Sequence, residues 1–174
     1  MKDRLLMLVA CLCLATPCLS APERFTTDMP SPLKLAKPGK EPDAAVQFRG
    51  QVRIAGRFQI EWSGINKKPG RVRALFFPDR ESTRLLPYPA GGKPVEELLL
   101  SNSEEAVSIL LEPATAQRIL ARDLLGAEGE AAVTIGDYRV VVVCDHRWYI
   151  ARLVSASKVE KMVAGVREKS STGC

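Results

Sequence analysis

Residues 46–62 keep one alternation throughout. Val46, Phe48, Val52, Ile54, Phe58, Ile60 and Trp62 fall on one side, and Gln47, Arg49, Gln51, Arg53, Arg57, Gln59 and Glu61 on the other. A period of two with one apolar face is the pattern of a half-buried strand. At ~3.3 Å per residue a straight strand of this length exceeds about 50 Å, too long for a small domain. It has to bend. Gly50 and Gly56 fall on the apolar side, where a missing side chain lets a strand coil sharply without a clash. The reading is one strongly coiled strand.

Residues 131–154 hold the densest run of β-branched residues, with the only His (His146) and one of the two Trp (Trp148). They read as a three-stranded meander. Gly136 and Asp137 make a two-residue turn of the Gly-first type, and Asp145 and His146 make a second. Val133 and Ile135 then share a face with Tyr138, Val140, Val142 and Cys144, continuing onto Tyr149, Ala151 and Leu153. Residues 140–143 are apolar on both faces, which predicts a middle strand covered on both sides.

Between these stretches, Val72, Ala74 and Phe76 alternate in a second strand that ends at Pro78 and Asp79. Residues 83–88 read as a short edge strand beside Pro87 and Pro89. Residues 98–100 fit a strand or a helical lead-in equally. Ser101 to Glu104 has the form of a capping box, with Ala106, Ile109 and Leu110 at helical spacing. Pro113 opens a second helix carrying Ile119, Leu120, Leu124 and Leu125, ended by Gly126. A further capping box at Ser157 and Glu160, with Val159, Met162, Val163 and Val166 behind it, predicts a C-terminal helix. The fold class is α+β: an antiparallel, partly barrel-like sheet with an inserted helical pair and a C-terminal helix. A long, coiled, glycine-bearing first strand, with helices between strands three and four, resembles the architecture of an OB-like barrel.

The first residues read as an export signal. Lys2 and Arg4 precede an apolar run over 5–14, and small residues at Cys18 and Ser20 place cleavage between Ser20 and Ala21. A lipidated Cys11 is the minor alternative. The apolar run is shorter than the ~20 residues a membrane span needs, so no transmembrane segment is expected after cleavage. Five of the 12 prolines lie within 21–44, so that stretch is expected to be a disordered linker. The domain organisation is therefore a signal at 1–20, a linker at 21–44, one α+β domain at 45–168 and a tail at 169–174. Of five cysteines, Cys144 and Cys174 remain after cleavage. An oxidising compartment predicts that they form a disulfide, on a route in which the C-terminal helix carries the chain back toward Cys144.

The formal charge of +5 is a mild excess, so nucleic acid is not an expected partner. Charge is nonetheless segregated: residues 49–84 carry nine Lys/Arg and three Asp/Glu, and residues 96–130 carry two and eight. Arg49, Arg53 and Arg57 share the polar face of the first strand, with Arg71 and Arg73 nearby, and form the candidate anion-binding surface. Cys144, Asp145 and His146 suggest a metal or nucleophile site, but a zinc site takes three or four protein ligands and a nucleophile needs a base and an orienting acid. Three neighbours on one turn rarely converge in that way, so no catalytic residue, metal or cofactor is expected. The leading expectation is a periplasmic or secreted binding or structural module whose partner is an envelope protein or an anionic glycan. The rival is a small hydrolase or metal-dependent enzyme centred on Cys144 and His146, and a third reading is an OB-type oligonucleotide-binding module.

Overall fold

The structure, a computed structural model, describes residues 24–37, 45–63, 70–143 and 146–165. The export signal, the tail, Cys144, Asp145 and Cys174 lie outside these residues. In chain order the elements are β1 (Phe25–Thr26), β2 (Lys34–Lys37), β3 (Val46–Arg49), β4 (Gln51–Ser63), β5 (Arg71–Pro78), α1 (Arg80–Thr83), β6 (Tyr88–Pro89) and β7 (Leu98–Leu100). They are followed by α2 (Ser103–Leu110), α3 (Pro113–Leu120), β8 (Gly126–Val143) and β9 (His146–Gly165).

Five strands close a barrel. β8 pairs with β4, β4 with β5, β5 with β7, β7 with β9, and β9 returns to β8. Every pairing in the ring is antiparallel except β7 with β9, where Leu99 and Leu100 run parallel to Ile150 and Ala151. The helices α2 and α3 sit between the third and fourth barrel strands, so the OB-like, α+β character is present in the connectivity itself.

The barrel is filled by alternating large and small residues. Phe58 points inward and is fully buried, and its register partner on β8 is Gly129. A Cβ at Gly129 would meet the Phe58 ring at 2.9 Å. With Ala127 and Ala131 on either side of Gly129, β8 gives up side-chain volume where β4 supplies it, which close packing requires. The inward faces of 46–62 and 72–76 are those of the alternation: Phe48, Val52, Ile54, Ile60, Val72, Ala74 and Phe76 are all buried.

The predicted meander is instead one hairpin of two long strands. Gly136 and Asp137 form a bulge within β8, not a turn: Gly136 pairs with Arg152 and Arg139 with Ile150, leaving one extra residue on β8. Asp137 takes the left-handed φ of 49° that this requires. A bulge and a two-residue turn shift parity alike, so Val133, Ile135, Tyr138, Val140, Ala151 and Leu153 are buried together as expected. His146 is not part of a turn: it opens β9 and pairs with Val143, while Asp145 lies outside the described residues.

The C-terminal helix is a strand. Residues 157–165 belong to β9 and pair with the first half of β8, as far as Gly165 opposite Gly126. The edge of β8 offers this segment a full ladder of backbone partners, which outweighs a helical stripe. Two register shifts against β8, and Lys161 at φ 50°, break the period of two, so the spacing imitates a helix. Of the expected inner stripe, Val159 and Val163 are exposed, Met162 packs against the core, and Val166 lies outside the described residues. The route assumed for the Cys144–Cys174 disulfide relied on that helix. The strand instead delivers the chain to the end of the hairpin opposite Val143 and His146.

Three smaller expectations also change. Residues 83–87 are not a strand: Asp79 caps α1 by accepting from the Ser82 N–H at 2.7 Å, a turn follows, and only Tyr88 belongs to a strand, the two-residue β6 that pairs with β1. The third barrel strand is β7. At α2 the capping box does not form. The Asn102 amide instead bonds both backbone groups of Leu153, at 2.9 Å each, and so extends the β7–β9 ladder by a side-chain rung. After α3, which does begin at Pro113, the left-handed position is filled by Arg122 (φ 68°) and not by Gly126. The Arg122 guanidinium lies 4.4 Å from the centre of the Trp62 ring and donates to the Gly70 carbonyl. Leu120 and Leu125 end up exposed.

The expected linker is not loose over 24–37. β1 pairs with β6 and β2 with β3. Leu33 is 4% exposed, and Phe25 meets Phe48 edge-on at 5.4 Å. Prolines are compatible with this path because the segment runs along the sheet margin, where few ladder donors are needed.

Candidate functional site

A groove of about 950 Å³ opens on the outer face of the sheet where two irregularities meet. The expected single coiled strand is interrupted at Gly50, which separates β3 from β4 with φ 107°. Beside it lies the β8 bulge at Gly136 and Asp137. A side chain at Gly50 would also strike the Pro32 carbonyl oxygen, 2.6 Å from an ideal Cβ. Only glycine meets both demands. Gly50→Ala is expected to cost about 2–3 kcal/mol, read as a lower urea midpoint; an unchanged midpoint would show that the bend relaxes freely.

The groove is polar. Gln47, Arg49 and Gln51 enter from the β3–β4 bend, Asp137 and Arg139 from β8, and Arg152 from β9, with Ser101 and Glu105 across from them. The three guanidinium groups come from three strands and are more than 80 residues apart in sequence at the extremes. Arg152 pairs with Glu105 at 3.2 Å. The Glu105 carboxyl is held below its ordinary range, first by the Asn102 amide that donates to it at 2.8 Å and then by Arg152. Among the described residues, Arg49 and Arg139 have no carboxylate within ion-pairing distance. They are the cations of this groove left for a ligand.

Of the predicted anion-binding set, only Arg49 lines the groove. Arg53 donates to the Ser157 hydroxyl at 3.0 Å. Arg57 pairs with Glu128 at 3.5 Å and lies 4.6 Å from the centre of the Phe77 ring. Arg73 pairs with Glu61 at 3.6 Å, and Arg71 sits in register with Ser63 at the far end of β4. These arginines share an outer surface without converging, and neighbouring carboxylates offset much of their charge. Arg139 and Arg152, which complete the groove, were not expected. Their signal was present: the parity that buries Tyr138, Val140, Ala151 and Leu153 sends both outward. What the sequence lacked was the pairing that sets them beside Arg49.

A second hollow, of about 460 Å³, lies at the start of β9. His146, Arg147, Trp148 and Tyr149 line it from one side, and Leu99 with the connector carrying Pro89, Lys93, Pro94, Glu96 and Glu97 from the other. Among the described residues, no group of three or more His, Cys, Asp or Glu is placed to hold a metal ion. Cys144 is outside them. The fold and groove together define a closed, five-stranded OB-like barrel with a cationic groove on its outer face. No family model, no curated protein and no solved structure matches the chain.

Proposed function

We propose that the mature chain is an exported binding module that holds an anionic partner, an envelope glycan or the acidic surface of an envelope protein, and performs no chemistry on it. The observation that carries this reading is the gathering of Arg49, Arg139 and Arg152 in one groove built by two backbone irregularities. A groove with cations unpaired by its own carboxylates attracts anions more strongly than a neutralised surface does. The export half of the proposal rests on the residues at 2–20. No helix of the described residues is long and apolar enough to cross a membrane. The disulfide between Cys144 and Cys174 remains part of the proposal. Intact mass of the secreted protein, before and after reduction, reads the cleavage site and the disulfide together.

The experiment for the groove is elution from immobilised heparin. Arg49→Gln with Arg139→Gln is expected to lower the eluting salt concentration markedly. Arg57→Gln with Arg73→Gln, whose partners are already in place, is expected to change it little. Equal shifts for both pairs would mean diffuse attraction and would remove the groove as the site. The hydrolase or metal reading keeps one observation in its favour, that His146 lines the second hollow. Stoichiometric metal in the purified protein, lost to a chelator together with a hydrolytic activity, would replace the binding reading.

A further inference from the structure

The groove and the second hollow lie on the same outer face of one strand. Ala151 and Leu153 of β9 are fully buried, so Trp148, Ile150 and Arg152 all point outward. Trp148, 39% exposed, lines the hollow, and Arg152 lines the groove. Ile150 stands between them in register with Arg139 of β8 on one side and Leu99 of β7 on the other. From Trp148 to Arg152 the strand advances about 13 Å at ~3.3 Å per residue. Trp148, Ile150 and Arg152 thus follow one another along β9, with Arg139 beside Ile150 on β8.

We propose that this face is a binding track for a short acidic oligosaccharide, with one sugar ring on Trp148 and the acid groups of later units in the groove at Arg139 and Arg49, while Arg152 stays paired with Glu105. The inference rests on the anion-binding reading of the groove and names the class of ligand. A sugar ring has an apolar C–H face that suits the exposed face of an indole, and a rim of hydroxyl groups. Ionised carboxylates only accept hydrogen bonds, and this track is rich in them: counted over both hollows, five Lys/Arg face four Asp/Glu. Hydroxyl hydrogens suit such acceptors. Single-stranded nucleic acid also combines stacking with charge, but it is held by strongly cationic grooves and a deoxyribose strand offers carboxylate acceptors almost no hydroxyl donors. Four carboxylates among five cations fit a ligand whose acid groups are accompanied by hydroxyls on every unit.

Calorimetric titration of the mature chain with tetragalacturonate, chitotetraose and an eight-residue oligothymidylate tests this. Tetragalacturonate is expected to bind, with chitotetraose and the oligonucleotide each at least tenfold weaker. Trp148→Ala and Arg139→Gln are each expected to weaken tetragalacturonate binding about tenfold or more, the scale of one good stacking or charge-assisted contact. Trp148→Phe keeps a ring and should recover most of the affinity, which separates loss of stacking from loss of folding. Full affinity in Trp148→Ala, with heparin retention still dependent on Arg49 and Arg139, would overturn the track and leave the groove. Tighter binding of the oligonucleotide or of chitotetraose would overturn the ligand class. Failure of tetragalacturonate to bind would overturn the track, and loss of the Arg49 and Arg139 effect on heparin as well would overturn the groove with it.

Discussion

A chain started at Ala45 is expected to be about 3–5 kcal/mol less stable to urea than the mature protein. A linker would make no difference. The segment removed carries Leu33, buried at 4% exposure, and Phe25, which packs on Phe48. Burying one large apolar side chain contributes about 1.5–3 kcal/mol, and an edge-on aromatic pair about 0.5–1.5 more. Further ties add to this: the Tyr88 hydroxyl donates to Asp28, and the Met29 N–H donates to the Arg84 carbonyl. Ordering the segment opposes these gains, which holds the net effect to the lower end of their sum. Phe48 also packs at a tilt on Tyr138 at 5.4 Å, so exposing its outer side loosens a contact within the hydrophobic core. Leu33→Ala alone should lower stability by about 2–3 kcal/mol. An unchanged urea midpoint in the truncated chain would mean that this segment lies on the domain without supporting it.

That expectation reverses what composition suggests, and the reversal shows where sequence patterns inform. Faces were legible wherever the strand period held. The burial of Phe48, Val52, Ile54, Phe58 and Ile60, and of Val133, Ile135, Tyr138 and Val140, follows directly from alternation. The device behind the second set was not legible, because a bulge at Asp137 and a hairpin turn shift the parity by the same residue. Period failed where bulges interrupt it: two register shifts gave 157–165 a helical spacing. Proline content failed at 24–37 because two anchors, Phe25 and Leu33, outweigh Pro30 and Pro32 when a sheet margin is there to receive them. The groove was half legible. The outward direction of Arg49, Arg139 and Arg152 could be read from parity, but their meeting depends on β3 and β8 pairing at Gln47 and Arg139, across some 90 residues of chain. No local pattern carries that information.

Tyr138 is expected to set the alkaline limit of the fold. It is fully buried, and its hydroxyl donates to the Pro87 carbonyl at 2.6 Å. Burial pushes its pKa well above the ordinary value of 10.0, and the neighbouring Tyr149 adds to the shift. The folded protein therefore keeps this phenol neutral while the unfolded chain ionises it. A raised folded-state pKa contributes stability that is fully present below pH 10 and is lost as pH rises above it. The loss amounts to about 1.4 kcal/mol per pH unit until the folded-state pKa is reached. Tyr138→Phe removes that dependence. At neutral pH the variant should be less stable by about 1–2 kcal/mol, because the Pro87 carbonyl loses its donor in a buried place. The parent weakens above pH 10 and the variant does not share that part of the decline, so the gap between the two stabilities should close as pH rises above 10. Tyr88, also raised in pKa, first by its hydrogen bond to Asp28, is present in both proteins and cancels in the comparison. Urea midpoints measured every half unit from pH 7 to pH 12 give the result. Parallel curves with a constant gap would show that Tyr138 does not limit the fold in alkali, and that some other group ionises first.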